Sequence, residues 1–258
     1  MKLTFLGTGT SFGVPQIGCP CAVCRSTDPR DRRTRVGAVI ETDGGTRLLV
    51  DTPPELRLQL IACGIERVDA VLYTHAHADH THGIDDLRAI SVQGGALPMY
   101  GSPETLAILG ARFGYIFDDA LRPLPGTSKP EARAQALRDG ETLRIGDADV
   151  TAIAVPHGPV DVYAYRVGPL AYVTDAKSLP DRVVDRLTGV RVLVLNALWR
   201  KPHPTHLSIA EAVAVARRIG AQQTYLTHLT HNTSHAELAA ELPDGITPAH
   251  DGLAVSIE

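Results

Sequence analysis

Residues 74–83 read THAHADHTHG and place four histidines and one aspartate within ten positions. No aliphatic side chain larger than alanine occurs in this stretch, so it contributes little to a hydrophobic core. Neutral imidazole and carboxylate are ligands for divalent metals. A chain with this stretch is therefore expected to fold so that several metal ligands converge on one place.

Composition excludes several classes of protein. The chain has 258 residues, of which 44% are hydrophobic, which is ample for a buried core. Its 25 Lys and Arg residues against 29 Asp and Glu give a net charge of -4, which argues against a nucleic-acid partner. Its apolar runs are too short to cross a membrane, and its first residues lack the pattern of a signal peptide. We therefore expect a cytoplasmic protein with no membrane partner.

Strands and helices are interspersed along the chain without a linker, which predicts an α/β layered fold. Ser208 with Glu211, and Ser234 with Glu237, have the spacing of capping boxes, so each pair predicts the start of a helix. Residues 122–135 are rich in proline, glycine and charge and are expected to form an exposed loop. In such a fold the functional side chains gather at strand ends along one edge.

Three further candidate ligands stand at strand ends. His157, Asp175 and His228 each come directly after a short apolar strand. One polar residue in such a position is common, but three of them in a chain with the histidine-rich stretch are jointly improbable by chance. They predict that distant parts of the chain meet at one metal site.

The histidine-rich stretch itself has the spacing to serve two metals. His75 and His77 alternate at a strand end, so both can point to one face. Asp79 and His80 follow the turn and can point elsewhere. A site for a single metal needs only three protein ligands, and this chain offers more.

The segment 75-HAHADH-80 matches the signature H-x-H-x-D-H, and the chain resembles the metallo-β-lactamase superfamily of binuclear hydrolases. The resemblance implies that residues 1–258 form a single αββα sandwich domain, with two mixed β-sheets flanked by helices. It also implies two divalent cations, Zn or Mn, in the active site. The implied ligands are His75, His77 and His157 for the first metal, Asp79, His80 and His228 for the second, and Asp175 bridging both.

Two residues outside this ligand set receive roles from the same resemblance. Asp51 corresponds to an acidic residue that orients a ligand histidine by a hydrogen bond. His206 corresponds to a histidine of the phosphodiesterase branch, which includes the tRNA 3'-processing nucleases. A phosphodiester leaves as an alkoxide, and an imidazole can protonate it. We therefore expect a hydroxide held between the cations to attack phosphorus, while His206 and Asp79 assist the leaving oxygen.

A second metal site is predicted near residues 18–25. Cys19, Cys21 and Cys24 form a C-x-C-x-x-C loop, and three thiolates at this spacing converge on a structural zinc. His231, which ends a T-H-x-x-H segment, is the candidate for the fourth ligand. This combination resembles the PhnP family, the phosphodiesterases that accompany carbon-phosphorus lyase.

The PhnP resemblance implies hydrolysis of a small cyclic phosphodiester, which is 5-phosphoribosyl 1,2-cyclic phosphate in the best-known members. A small phosphorylated substrate needs cationic donors beyond the metals. Arg88, just past the histidine-rich stretch, is the first candidate, and a surface salt bridge is its alternative role. Lys177 and His235 are further suggestions for the same rim, whereas His203 is expected at the surface.

Three alternative functions stay open. A tRNA 3'-processing endonuclease would share every metal ligand, but the chain shows no Gly/Pro-rich arm to grip tRNA. A lactone or ester hydrolase is the second alternative. The third is a metal-bound carrier or regulator without enzymatic activity, although such relatives tend to lose ligands and this set is complete. The oligomeric state is open as well, and a homodimer would be usual for the family.

Overall fold

The computed structural model describes residues 1–258 and contains two seven-stranded sheets with eight α-helices. The strands are β1 Lys2–Gly7, β2 Gly37–Glu41, β3 Arg47–Val50, β4 Ala70–Leu72, β5 Leu97–Gly101, β6 Ala132–Ala136, β7 Thr142–Ile145, β8 Ala148–His157, β9 Val160–Val167, β10 Leu170–Val173, β11 Val192–Asn196, β12 Gln223–Thr227, β13 Ile246–Pro248 and β14 Ala254–Ser256. The helices are α1 Leu56–Ala62, α2 Ala78–Thr81, α3 Arg88–Gly94, α4 Pro103–Arg112, α5 Gly114–Phe117, α6 Asp181–Leu187, α7 Ile209–Ile219 and α8 His235–Glu241.

Both sheets mix parallel and antiparallel pairs. The first has the order β14-β1-β2-β3-β4-β5-β6 and is parallel from β3 to β6. The second has the order β13-β12-β11-β10-β9-β8-β7 and is parallel from β10 to β13. Parallel strands place their carboxyl ends at one edge of a sheet, which is where ligand sites form in α/β folds. The predicted αββα architecture with two mixed sheets is confirmed.

The layers follow from strands whose two faces are both buried. In β8, Val150 and Ala152 belong to the core between the sheets, whereas Ile153 and Val155 belong to the core beneath the helices. Alternate side chains of a strand point to opposite faces, so a strand covered on both sides reads as almost continuously apolar. This explains why the buried strands appear in the sequence as short, continuous apolar runs.

Helices cover the outer face of each sheet. Leu56 of α1 and Leu109 of α4 are buried against the first sheet, and Val183 of α6 and Ala212 of α7 against the second. No helix combines the length and the apolar character needed to span a membrane.

Local sequence signals located the helix starts well but misjudged one segment. Ser208 and Ser234 each cap a helix in a complete capping box with Glu211 and Glu237, as predicted. The expected loop at residues 122–135 is only partly a loop, because its last residues enter β6, which pairs in parallel with β5. Strand β6 is mostly exposed, so it lacks the apolar pattern that would have revealed it.

Candidate functional site

The first group of candidate ligands joins the end of β8 to the histidine-rich stretch. Nε2 of His75 lies 2.8 Å from Nδ1 of His77. Each of these histidines and His157 offers one ring nitrogen, and the three nitrogens lie within 4.8 Å of one another. His75 and His157 are buried, whereas His77 is exposed to solvent. Three imidazoles at this separation can bind one divalent cation.

The second group comprises Asp79 and His80 of α2 and His228 at the end of β12. Their ligand atoms also lie within 4.8 Å of one another. Nε2 of His80 and both ring nitrogens of His228 are buried and have no hydrogen-bond partner in the protein. A buried polar atom without a partner costs about 1–3 kcal/mol, and a bound cation would remove this cost at a ligating nitrogen. The donor set therefore fits a metal.

Asp175, buried at the end of β10, lies between the two groups. One of its oxygens is 3.5 Å from Nε2 of His80. The other is 3.4 Å from Nε2 of His228 and 3.9 Å from Nε2 of His75. A single carboxylate thus reaches both groups, as a bridging ligand must. The structure brings all seven candidate ligands together, and their binding of two metals stays a prediction.

Three residues of the site have left-handed backbone conformations. The φ angles are 62° for Asp51, 58° for Asp175 and 58° for His228. Asp51 directly follows β3, and His228 directly follows β12. One residue separates Asp175 from the end of β10. This conformation costs a residue with a side chain roughly 1–2 kcal/mol and is concentrated at functional sites. Here it turns the chain sharply at the sheet edge where the ligands meet.

Hydrogen bonds orient two of the candidate ligands. Asp51 is fully buried, and one of its oxygens lies 2.7 Å from Nδ1 of His80. Nδ1 of His157 lies 2.9 Å from the carbonyl oxygen of Thr205. Both contacts require a proton on Nδ1, which leaves Nε2 free to bind a metal. The structure therefore places Asp51 where the predicted orienting residue should be.

Burial sets the protonation of the imidazoles. It lowers the pKa of His228 to about 4 and also lowers the pKa values of His75 and His157. Burial opposes protonation at His80 too, but the carboxylates of Asp175 and Asp79 outweigh it and raise the pKa of His80. Metals bind the neutral imidazole, so the three lowered pKa values suit metal binding near neutral pH.

His206 is brought into the same site. Its Nε2 lies 3.1 Å from an oxygen of Asp175, and its Nδ1 lies 2.8 Å from Oγ1 of Thr205. Its ring centroid lies 4.7 Å from that of His157 and 4.7 Å from that of His228. His206 therefore faces the candidate metal site, at the location that its predicted role requires.

His203 is partly exposed at the surface, where it was expected, but it also contacts His206 of the site. Its Nδ1 is 3.2 Å from Nδ1 of His206, and its ring packs edge-on against Trp199 at a centroid distance of 6.0 Å. The H-x-x-H spacing of the pair was the available signal, because two histidines three residues apart can meet in a compact turn.

The three cysteines of the C-x-C-x-x-C loop surround His231. Their sulfur atoms lie 3.2, 3.5 and 3.5 Å from Nδ1 of that histidine, in the order Cys19, Cys21 and Cys24. A hydrogen bond from the backbone of Cys24 lowers the pKa of Cys21 to about 6, whereas burial raises the pKa of Cys24 to about 11. A bound zinc would hold both as thiolates. Four ligand atoms within 4.8 Å of one another fit a tetrahedral structural zinc, which stays a prediction.

A cavity of about 490 Å³ opens beside the first group of ligands. Its lining residues are His75, Ala76, His77, Ser102, Glu104, Thr105, Ile108, Arg112, Ala154, Val160, Asp161 and Tyr163. Arg88, the first candidate for substrate binding, is not among them. Its guanidinium group donates to Asp85 at 2.7 Å and to the carbonyl oxygen of Ser128. The structure therefore favours the alternative role of Arg88, a surface salt bridge.

The two other residues suggested for the rim also have partners elsewhere. Lys177 forms a 2.9 Å salt bridge with Glu211. His235 is buried at the start of α8, and its backbone N–H donates to Asp31 at 2.6 Å. Neither residue lines the cavity. Arg112, which does line it, was missed, because its contact with the histidine-rich stretch joins residues far apart in sequence.

Comparisons with known proteins identify relatives of the chain. The sequence profile of the β-lactamase superfamily domain matches residues 46–229. A crystal structure of a new diphosphatase from the PhnP family has 41% sequence identity and a TM-score of 0.91, covering 100% of this chain and 98% of that one. The Zn²⁺-bound PqqB from Methylobacterium extorquens has 19% identity and a TM-score of 0.80, with full coverage of both chains, and shows the fold alone.

A curated relative of different name is the octanoyltransferase of Porphyromonas gingivalis strain W83, which is 37% identical over 100% of this chain. The chain spans only 52% of the length of that relative, so the name describes a larger protein. The profile match covers most of the chain, and the diphosphatase is similar over its whole length. The chain therefore belongs to the β-lactamase superfamily and, within it, to the PhnP family.

Proposed function

We propose that the chain is a phosphodiesterase that hydrolyses a small cyclic phosphodiester, with 5-phosphoribosyl 1,2-cyclic phosphate as the candidate substrate. The observation that carries this proposal is His206, an imidazole that faces Asp175 in addition to the seven candidate ligands. A sugar alkoxide is a poor leaving group, and an acid placed beside it accelerates its departure. Lactones open at an activated carbonyl and need such an acid less.

The candidate ligands would hold two divalent cations, with Asp175 between them. Once bound, the cations would stabilise charge on the phosphoryl oxygens and make a water molecule acidic. Zinc and manganese both accept imidazole and carboxylate ligands, so both belong to the proposal. The structural zinc would be separate, in the C-x-C-x-x-C loop with His231.

The protein groups position and move the proton. The hydroxyl of Thr205 can donate to Nδ1 of His206, which leaves the proton of a neutral His206 on Nε2. Asp175 accepts from that Nε2 and orients the ring, so a leaving oxygen at this place would receive the proton from Nε2. The side chain of Asp79 is 13% exposed, so its carboxylate is not fully closed off from solvent.

A second candidate reaction is hydrolysis of the P–O–P bond of a small diphosphate. It is favoured by the 41% identity with the PhnP-family diphosphatase. The leaving group would then be a phosphate, a much weaker base than an alkoxide, so loss of His206 should matter far less. The dependence on His206 therefore separates the two reactions.

The rival functions have less support. A cavity of about 490 Å³ has the size of a small-molecule site. The net charge of -4 supplies no general positive field to attract an RNA strand. A metal-bound carrier or regulator would need metal ligands but would have no use for an acid such as His206 beside them. Free cysteines suit a reducing compartment, so we propose a cytoplasmic location, with a small phosphorylated substrate as partner. A homodimer stays part of the proposal.

The test compares the parent with His206→Ala on three substrates: 5-phosphoribosyl 1,2-cyclic phosphate, a nucleoside 2',3'-cyclic phosphate and a small diphosphate. Phosphorus-31 NMR follows all three in one mixture with the Mn- or Zn-loaded protein. We expect the parent to consume the sugar diester and the variant to lose roughly 100-fold or more in rate. Metal content should be unchanged.

Exposed His82 supplies the matched control, and His82→Ala should keep the parent rate. A His206→Ala variant that hydrolyses the sugar diester at the parent rate would remove the acid role. Consumption of the diphosphate alone, unaffected by the variant, would replace the diester proposal with the second reaction. No turnover of any substrate at full metal occupancy would favour the lactone hydrolase or carrier alternatives.

A further inference from the structure

One wall of the cavity is a single face of α4. Thr105, Ile108 and Arg112 stand at positions i, i+3 and i+7, so their side chains lie along the same side of the helix. The opposite wall comes from β9, with Asp161 and Tyr163. A molecule bound at the first group of candidate ligands would therefore extend between a helix face and a strand.

Arg112 is the one lysine or arginine in this lining. Its Nη1 donates to the carbonyl oxygen of Ala76 at 2.5 Å, and this is its only side-chain hydrogen bond. Ala76 stands between His75 and His77, so the contact holds the guanidinium group next to the first group of ligands. Unlike Arg88, whose charge is paired with Asp85, Arg112 has no carboxylate partner. Its remaining N–H donors are available to a ligand.

We infer that Arg112 is a specificity-determining residue that binds a second anionic group of the substrate, a terminal phosphate. This rests on the proposed function, in which the scissile phosphoryl group lies at the metal ligands. A guanidinium group binds a phosphate through two parallel N–H donors, a geometry that lysine does not offer. Glu104 and Asp161 can accept hydrogen bonds from hydroxyl groups in the same cavity. Arg112 would thus distinguish a substrate with a terminal phosphate from the same cyclic diester without one.

The experiment measures KM and kcat for two cyclic diesters that differ only in the terminal phosphate: 5-phosphoribosyl 1,2-cyclic phosphate and ribose 1,2-cyclic phosphate. The proteins are the parent, Arg112→Ala, Arg112→Lys and, as control, Arg133→Ala, an exposed arginine of β6. We expect Arg112→Ala to raise KM for 5-phosphoribosyl 1,2-cyclic phosphate by about tenfold or more. Its KM for ribose 1,2-cyclic phosphate should change little. Arg112→Lys should recover part of the loss, and Arg133→Ala should match the parent.

Equal effects of Arg112→Ala on both diesters, or no effect on either, would overturn the inference. If Arg88→Ala, and not Arg112→Ala, showed this selective rise in KM, Arg88 would be the residue that binds the terminal phosphate.

If the parent hydrolyses neither diester, the proposed function fails, and an equilibrium binding experiment still tests whether Arg112 binds a phosphate in the cavity. Isothermal titration with ribose 5-phosphate and with ribose should then show that only the former binds the parent, at least about tenfold more tightly than it binds Arg112→Ala. Equal binding by the two proteins, or none, would reject the inference.

Discussion

Substitutions of Asp51 should distinguish its contribution to thermal stability from its contribution to metal affinity. Its carboxylate accepts three hydrogen bonds: from the backbone N–H of Thr74 at 2.8 Å, from Oγ1 of Thr74 at 2.8 Å and from Nδ1 of His80 at 2.7 Å. It is fully buried, and its φ of 62° is a conformation that aspartate and asparagine tolerate better than most residues. Two variants divide these contributions, Asp51→Ala and Asp51→Asn.

In Asp51→Ala the hydroxyl of Thr74 can turn to another acceptor, but the N–H of Thr74 and Nδ1 of His80 stay buried without one. Each unpaired donor costs about 1–3 kcal/mol, and alanine at a left-handed position adds roughly 1 kcal/mol. The sum is about 3–7 kcal/mol, so we expect Tm to fall by on the order of 10 °C or more. Thermal unfolding followed by circular dichroism measures this loss.

Asp51→Asn keeps the backbone preference and one oxygen acceptor, so its Tm should fall much less. If that oxygen serves Thr74, the amide NH₂ faces Nδ1 of His80, which then keeps only the distant hydroxyl of Thr74, at 3.5 Å, to fix its ring and tautomer. Loss of such an orienting partner weakens metal binding by about 10- to 100-fold. Competition with a chromophoric chelator measures the affinity. An Asp51→Asn protein that binds metal as tightly as the parent would refute the role assigned to Asp51.

Three further predictions concern groups around the site. Thr205→Val removes the hydroxyl beside Nδ1 of His206 and should slow hydrolysis of an unactivated diester roughly tenfold at unchanged metal content. Thr205→Ser keeps a hydroxyl and should retain the parent rate. Equal rates for the two variants would contradict a role of Thr205 in positioning His206. Cys21→Ala should lower Tm and remove one zinc per chain, which elemental analysis counts, whereas Cys63→Ala, outside the cluster, should retain it; equal zinc content would remove the structural-zinc proposal. Burial lowers the pKa of His235 from 6.5 to about 4, so the unfolded chain takes up a proton at a higher pH than the folded one, and stability is lost as pH falls from about 6.5 towards 4. His235→Leu should lose less stability than the parent between pH 7 and pH 5 in urea unfolding, and equal losses would contradict the assignment.

Much of the site could be predicted because its residues follow strong local patterns. His157, Asp175 and His228 each end an apolar strand, and the sheet edges bring those ends together. The helix starts at Ser208 and Ser234 were equally visible, since a capping box involves only residues three apart. The position of these residues after apolar strands thus predicts that they lie at the edge of the sheets. Their assignment to a first and a second metal came from the resemblance to a family.

Contacts between distant segments could not be predicted in this way. Arg88 stands close in sequence to the histidine-rich stretch, yet its charge is paired with Asp85. Arg112 lies 36 residues from Ala76 in the sequence, yet the folded chain brings its guanidinium group into a hydrogen bond with the carbonyl oxygen of Ala76. Strand β6 was missed for the same reason, since its pairing with β5 rather than an apolar pattern defines it. Sequence proximity is therefore a weak guide to the substrate side of this site.

The two metal sites also differ in what holds them together before a metal binds. Asp51 and Asp175 are anchored by other segments: Asp51 accepts from Thr74, and the residue after Asp175 donates its N–H to Asn196 at 2.8 Å. In contrast, the backbone-to-backbone hydrogen bonds of residues 16–26 join only residues three or four apart, and the N–H of Gln16 donates to the sulfur of Cys24 within the same loop. The cysteine sulfurs contact the rest of the protein at His231. The active-site geometry is thus built by the sheets, whereas the C-x-C-x-x-C loop has little to hold it besides its four ligands. We therefore predict that metals bound at the histidine and aspartate ligands would serve the chemistry, whereas a zinc bound by the three cysteines and His231 would contribute directly to folding.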